Sequence, residues 1–140
     1  MFLALDFKFD AAHRLMHHQG LCRNLHGHTW RVRVWITGSV DSRSGMVMDF
    51  SFLKKQIRDV LADFDHAALI NAEDEKLRKF LGVNGLREVL IDGEPTCENL
   101  ARELFGKINK VLPYWVRVVK IRVWESETTS VLYERGKESE

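Results

Sequence analysis

Two stretches restrict what this chain can fold into: "FLALDFKFDAAH" at residues 2–13 and "HGHTWRVRVWIT" at residues 26–37. Both alternate apolar with polar residues. Side chains two apart on an extended chain point to one face, so the pattern fits a strand buried on one side and fits no helix. Leu3, Leu5, Phe7, Phe9, Ala11 and His13 share a face opposed by Asp6, Lys8 and Asp10. In the second stretch His26, His28, Trp30, Val32, Val34 and Ile36 oppose Thr29, Arg31, Arg33 and Thr37. In both strands histidines take the apolar phase at one end. The intervening "RLMHHQGLCRNL" reads as a loop.

Beyond the turn-rich "GSVDSRSG", the segment "MVMDF" reads as a short strand or an extended lead-in to a helix. Apolar residues then recur at helical spacing (Phe50, Leu53, Ile57, Val60, Leu61, Phe64), with Asp49 or Ser51 as N-cap. A second helix opens after Pro95, capped by Thr96. Its apolar stripe comprises Cys97, Leu100, Ala101, Leu104, Phe105, Ile108, Val111 and Leu112. Residues 67–93 are less regular: "EDEKLRKFLG" reads as a short helix stopped at Gly82, and "REVLID" as a short strand. After Pro113, "YWVRVVKIRVWES" places Val119, Ile121, Val123 and Glu125 on one face, and "TSVLYER" returns as its hairpin partner. Strands paired at both ends with helices between them indicate an α+β antiparallel sheet covered on one face.

At 140 residues and 45% apolar, the chain fills one core and is too short for two ordinary domains. Its 21 basic residues face 20 acidic ones, a formal charge of +1 that offers no basic stripe for a phosphodiester backbone. No nucleic acid partner is expected. No window approaches the roughly 20 apolar residues that span a bilayer, and "MFLALDFKFD" lacks a basic leader. A cytoplasmic protein without a membrane partner is expected, with Cys22 and Cys97 as free thiols.

Within this frame His26 and His28 point the same way and His13 ends the matching face of the preceding strand. Three neutral imidazoles favour zinc and leave one coordination position open, the arrangement of catalytic sites. Cys22, four residues before His26, is a fourth ligand, a thiol outside the first shell whose pKa the metal lowers, or a small buried residue. Spacing does not separate these. Asp65 and His66 follow the first helix; they form either a carboxylate–imidazole proton shuttle or a helix-terminal histidine answering the macrodipole. Glu125 stands in the buried phase of an apolar strand, where an unpaired carboxylate is costly, so it meets an internal partner or binds a ligand rich in N–H donors.

Taken in order, "AAHRL", "CRNLHGH", "GMVMDF", "DHAALIN", "PTCENLA" and "VWES" resemble the 6-pyruvoyl-tetrahydropterin synthase family, of the tunnelling fold, over almost the whole chain. The C-x3-H-G-H spacing of "CRNLHGH" looks like the 6-carboxy-5,6,7,8-tetrahydropterin synthase branch of queuosine precursor synthesis. The resemblance implies a single domain over residues 1–140: a four-stranded antiparallel sheet (β-β-α-α-β-β) with two helices on one face, oligomerising into a barrel. It implies Zn2+ on His13, His26 and His28, Cys22 as catalytic base outside the first shell, and Asp65 with His66 as the relay completing proton transfer. Glu125 would anchor the aminopyrimidine edge of a small-molecule pterin, assisted by Thr96. The implied reaction converts 7,8-dihydroneopterin triphosphate to 6-carboxy-5,6,7,8-tetrahydropterin, acetaldehyde and triphosphate. The implied assembly is a homo-oligomer, a hexamer as a dimer of trimers, with active sites at subunit interfaces. The alternatives are a pyruvoyl-forming synthase or related pterin side-chain lyase, and a structural zinc-binding module. Departures from the family pattern lie in Glu73 to Glu94, which looks longer than in compact members, and in Cys97 beside Thr96.

Overall fold

The structure, a computed structural model, describes residues 1–136. Its elements are β1 (Leu3–His13), β2 (His26–Gly38), α1 (Phe50–Leu61), β3 (Ala67–Asn71), α2 (Glu75–Val83), β4 (Glu88–Ile91), α3 (Cys97–Val111), β5 (Val116–Trp124) and β6 (Ser130–Glu134), with one 3-10 turn at Leu21–Arg23. β1 and β2 pair antiparallel from Leu3 opposite Ile36 to His13 opposite His26. A slip of one residue would turn every apolar side chain to the wrong face. The alternation therefore selects this register, and Leu5, Phe7, Phe9, Trp30, Val32, Val34 and Ile36 are buried.

α1 and α3 cover that face. Asp49 accepts from Phe52 N at 3.0 Å, and Leu53, Ile57 and Leu61 turn inward. Thr96 Oγ1 accepts from Asn99 N at 3.2 Å, and the stripe from Cys97 to Ile108 is buried. The stripe ends earlier than expected, with Val111 exposed, while Leu112 is buried just beyond the helix. Residues 46–49 are not a strand but a bent lead-in that becomes extended at Asp49, with Val47 in the core.

The expected four-stranded antiparallel sheet is corrected to a six-stranded mixed sheet in the order β4-β3-β1-β2-β5-β6. β3 pairs parallel with the end of β1, and β4 parallel with β3. All five residues of β3 are buried, and Ala67–Ile70 form an apolar run without alternation, closed by the buried Asn71, as parallel strands covered on both faces do. Parallel strands need a crossover, and α2 supplies it. Leu69 joins the main core, whereas Ala68 and Ile70 pack against Leu77 and Leu81 of α2 on the other side. The two expected helices cover the main face; the short helix expected in "EDEKLRKFLG" is α2, which runs one residue past Gly82 and covers the opposite face at this edge, and the strand expected in "REVLID" is β4. Arg14 clamps α2 to β1, its Nε and Nη2 donating to the two oxygens of the buried Asp74 at 2.6 and 2.5 Å. No helix among the described residues is long and apolar enough to cross a membrane.

A second correction concerns β5. The pairing steps from Trp35 opposite Lys120 to Ile36 opposite Val118, which leaves Val119 as an extra, unpaired residue. Such a bulge reverses the side-chain phase along the strand. Val116 and Val118 point inward before it, and Ile121 and Val123 after it. Val119, expected on the core face, is only half-buried. Val118→Ala should cost about 2 kcal/mol of unfolding free energy and Val119→Ala less than half of that, measured by urea denaturation.

Candidate metal centre

The β1–β2 register that organises the core also assembles the site. His13 lies directly opposite His26, and His28 is one side-chain repeat further along the same face. Their ring centroids are 4.6 to 5.1 Å apart. Trp30, next on that face and fully buried, stands edge-on to His13 and His28 at 5.2 and 5.4 Å. Its Nε1 donates to Ala11 O at 3.2 Å. The histidines thus sit where the apolar core meets solvent.

Backbone carbonyls orient two of the rings. His13 Nδ1 donates to Pro95 O, and His26 Nδ1 to Asn24 O, each at 2.7 Å. A carbonyl only accepts, so each Nδ1 carries the proton and Nε2 keeps its lone pair. The Nε2 atoms of His13 and His28 are buried and make no hydrogen bond among the described residues. Such orphaned atoms are costly unless a ligand satisfies them. One potential ligand atom from each histidine lies within 4.8 Å of the others, so the donor set fits a divalent ion preferring nitrogen ligands.

Burial lowers the pKa of His13, and His26 and His28 lower it further, against the opposing pull of the Pro95 carbonyl and Glu125. Burial likewise lowers that of His28, opposed by Glu125 and reinforced by His26. Glu125 faces the histidine group without a hydrogen bond to it among the described residues, which leaves its carboxylate open to a ligand rich in N–H donors. Its Oε1 stands 3.4 Å from His13 Nε2 and 3.7 Å from His28 Nε2, with one third of the side chain (33%) exposed.

Of the three readings of Cys22, the fourth-ligand one loses ground. The thiol is half-exposed in the 3-10 turn, and among the described residues the group of ligand atoms at this site contains the histidines without it. Its loop is closed by Leu15 N donating to Cys22 O at 2.9 Å. Cys97 is a different kind of thiol. It is buried at the start of α3, donates to Val123 O at 3.3 Å, and is pushed up to about 12 by burial and by the carboxylates of Glu125 and Glu98.

Asp65 and His66 do form the expected pair, with His66 Nδ1 3.0 Å from Asp65 Oδ1. Asp65 Oδ1 also accepts from Asp10 N at 3.0 Å, and that bond, with the one to His66, holds its carboxyl below the usual range. His66 has a φ of 58°, a conformation costly for a non-glycine residue, and its N donates to Asp10 O at 2.7 Å. A ligand atom from each of Asp10, Asp65 and His66 lies within 4.8 Å of the others. Asp10 belongs to the polar phase of β1, so the pair sits on the sheet face opposite the three histidines. One chain does not bring the two groups together. Thr96 serves as the cap of α3.

Sequence reasoning missed the Pro95 and Asn24 carbonyls, because a backbone acceptor leaves no trace in residue type. It also missed the Arg14–Asp74 ion pair, whose partners lie 60 positions apart.

An α+β sheet carrying three convergent imidazoles at one end of its central hairpin defines a candidate metal centre at the margin of the core. A family profile described as 6-pyruvoyl tetrahydropterin synthase matches residues 3–136, and the chain belongs to that family. It is 31% identical over 139 residues to the 6-carboxy-5,6,7,8-tetrahydropterin synthase of Haemophilus influenzae, covering 94% of this chain and 97% of that one. It is 36% identical over 110 residues to the protein of the same name from Synechocystis, covering 75% and 72%. Among solved structures, the Caenorhabditis elegans 6-pyruvoyl tetrahydropterin synthase superposes with a TM-score of 0.70 at 28% identity, covering 96% of this chain and 94% of that one.

Two outcomes follow from the site's electrostatics. Because the folded His13 and His28 titrate below the ordinary 6.5, the unfolded chain binds more protons as pH falls beneath that value. The metal-free protein should therefore melt progressively lower from about pH 6.5 downward, with no such loss from pH 7 to 8. In mass spectra after iodoacetamide treatment at pH 8, native protein should be modified at Cys22 and spared at Cys97, and urea-unfolded protein modified at both.

Proposed function

We propose that this chain is a cytoplasmic, zinc-dependent lyase that converts 7,8-dihydroneopterin triphosphate and one water to 6-carboxy-5,6,7,8-tetrahydropterin, acetaldehyde and triphosphate, in the synthesis of queuosine and related 7-deazapurines. The observation that carries the reading is the convergence of three imidazoles, two with unpartnered buried Nε2 atoms, next to a loop whose Cys22 is not one of the ligand group. The names of the bacterial relatives point to the same product class.

His13, His26 and His28 would hold the zinc. When bound, the metal supplies Lewis-acid polarisation of the substrate's side-chain hydroxyls, which makes the neighbouring carbon acidic. Cys22 takes the proton from that carbon as a thiolate. His66, kept in one tautomer by Asp65, returns a proton, so that the ring is reduced as the side chain is oxidised; with loss of triphosphate and addition of one water, a side-chain carbon–carbon bond then breaks, leaving the 6-carboxyl group and releasing acetaldehyde. Glu125, whose Oε1 stands beside the rings of His13 and His28, would accept from the aminopyrimidine edge and set the distance between substrate and base, assisted by Thr96. Exclusion of water on one side is the part of the buried Trp30.

Because His66 lies on the opposite sheet face from the histidine group, this division of labour needs a second copy of the chain. The sheet has edges to offer. β3 pairs only with Ala11–His13 of β1 and Asp65 and His66 bond the backbone of Asp10, so among the described residues Leu3–Phe9 has no strand partner on that side, and β6 ends the sheet on the other. Edge-to-edge joining into a barrel, as a hexamer built from two trimers with active sites between subunits, would cover the open stretch of β1 and the outer side of β6.

A pyruvoyl-forming synthase is the rival enzyme, favoured by the name of the similar nematode structure. Purified zinc-loaded protein incubated with 7,8-dihydroneopterin triphosphate should yield acetaldehyde and a carboxypterin by mass spectrometry; a pyruvoyl product supports the rival instead. Cys22→Ala should lower turnover by about 100-fold or more while leaving zinc content unchanged. A fall in zinc content would make Cys22 a ligand and support the structural-module reading.

A further inference from the structure

The carbonyl that orients His13 belongs to Pro95, in the short strap between β4 and α3, and what holds that strap is the side chain just before it. Glu94 Oε1 accepts from Asn71 Nδ2 at 2.9 Å, and its Oε2 accepts from His17 N at 3.3 Å. Its backbone carbonyl accepts from Asn99 Nδ2 and from Thr96 N, each at 2.8 Å. Asn71 is itself buried at the end of β3, with its Oδ1 accepting from Glu73 N at 3.0 Å. The strap is therefore hung between the end of β3 and the first turn of α3.

The second arm of the carboxylate reaches somewhere else. His17 lies in the loop that leaves β1 and carries Cys22, a loop closed on itself by the Leu15 N to Cys22 O and His18 N to Leu15 O bonds. At its root is Arg14, clamped to Asp74 and lying within electrostatic reach of Glu94. One carboxylate thus braces both the carbonyl behind His13 and the loop that presents the thiol. An acceptor with two oxygens is required, since Asn71 Nδ2 and His17 N both donate. Glutamine has one.

We propose that Glu94 is a positioning residue that couples the orientation of His13 to the placement of the Cys22 loop, through Pro95 O on one side and His17 N on the other. This rests on reading His13, His26 and His28 as the metal ligands. The coupling places Glu94 outside the ligand shell and away from the reacting atoms. Its effect belongs to geometry at the metal and at the thiol, not to folding as such.

The test uses the full chain loaded with Co2+, whose visible absorption reports ligand geometry, and follows in parallel the rate at which iodoacetamide modifies Cys22. Glu94→Ala should shift the cobalt bands, weaken Co2+ binding about 10- to 100-fold, and change the Cys22 alkylation rate several-fold. Glu94→Gln, which keeps one acceptor and the side-chain volume, should fold and show smaller changes in both readouts. Asp49→Ala, which removes the cap of α1 and lowers stability at a distance, should change neither. Wild-type protein that takes up no cobalt would overturn the metal reading itself. Cobalt uptake by the wild type, with both Glu94 variants matching it in spectrum, affinity and alkylation rate, overturns the Glu94 proposal alone. A shift in one readout without the other overturns the coupling, and equal shifts in Asp49→Ala reduce the effect to general stability.

Discussion

The pairing of β1 with β2 is the constraint on which the rest depends. Eleven residues of β1 lie against β2 without interruption, from Leu3 opposite Ile36 to His13 opposite His26. Apolar burial along that ladder fixes the register, because every other residue on both strands would be exposed by a slip. The same burial carries the histidines, in phase, to the end of the core. No separate force gathers them. The site is the polar continuation of a hydrophobic face, and its precision is inherited from packing.

Placing imidazoles there has a cost that the structure makes visible. Burial and mutual repulsion depress the basicity of His13 and His28, and their Nε2 atoms lack hydrogen-bond partners. A chain without a ligand for these atoms carries an unsatisfied polar pocket above Trp30. The cost is offset where a metal binds, and the neutral form that burial enforces is the form that ligates. Backbone carbonyls do the orienting, which makes the alignment of the rings a property of the loops around Asn24 and Pro95 and links it to the β3–α2–β4 segment. That segment is more than decoration on the fold: through Asn71 and Glu94 it reaches the ring of His13 in two hydrogen bonds and a peptide.

The two chemically suggestive groups of the chain lie on opposite faces of one sheet. His13, His26 and His28 occupy the core side, while Asp65 and His66 hold to the backbone of Asp10 on the polar side. The proposed chemistry unites them only across copies of the chain, and the unpaired stretch of β1 and the outer strand β6 are the places where copies would join. The sheet would then be completed by the same event that completes the active site.

Much of this was legible before any fold was known. Period-two alternation determined β1 and β2, their buried faces and the shared phase of His13, His26 and His28, since a strand's side-chain direction follows from backbone geometry alone. Local hydrogen-bonding chemistry determined the starts of α1 and α3 at Asp49 and Thr96. Tertiary structure alone decided the parallel edge, because "AALI" is apolar throughout and a run without alternation does not say which strand it joins. It alone decided the bulge at Val119, where two adjacent valines are equally fit for the core and only the register against Trp35 and Ile36 chooses between them. And it decided how the site is held, because Pro95 meets His13, and Glu94 meets Asn71 and His17, through contacts distant in sequence and, at the decisive point, through a carbonyl oxygen that every residue possesses.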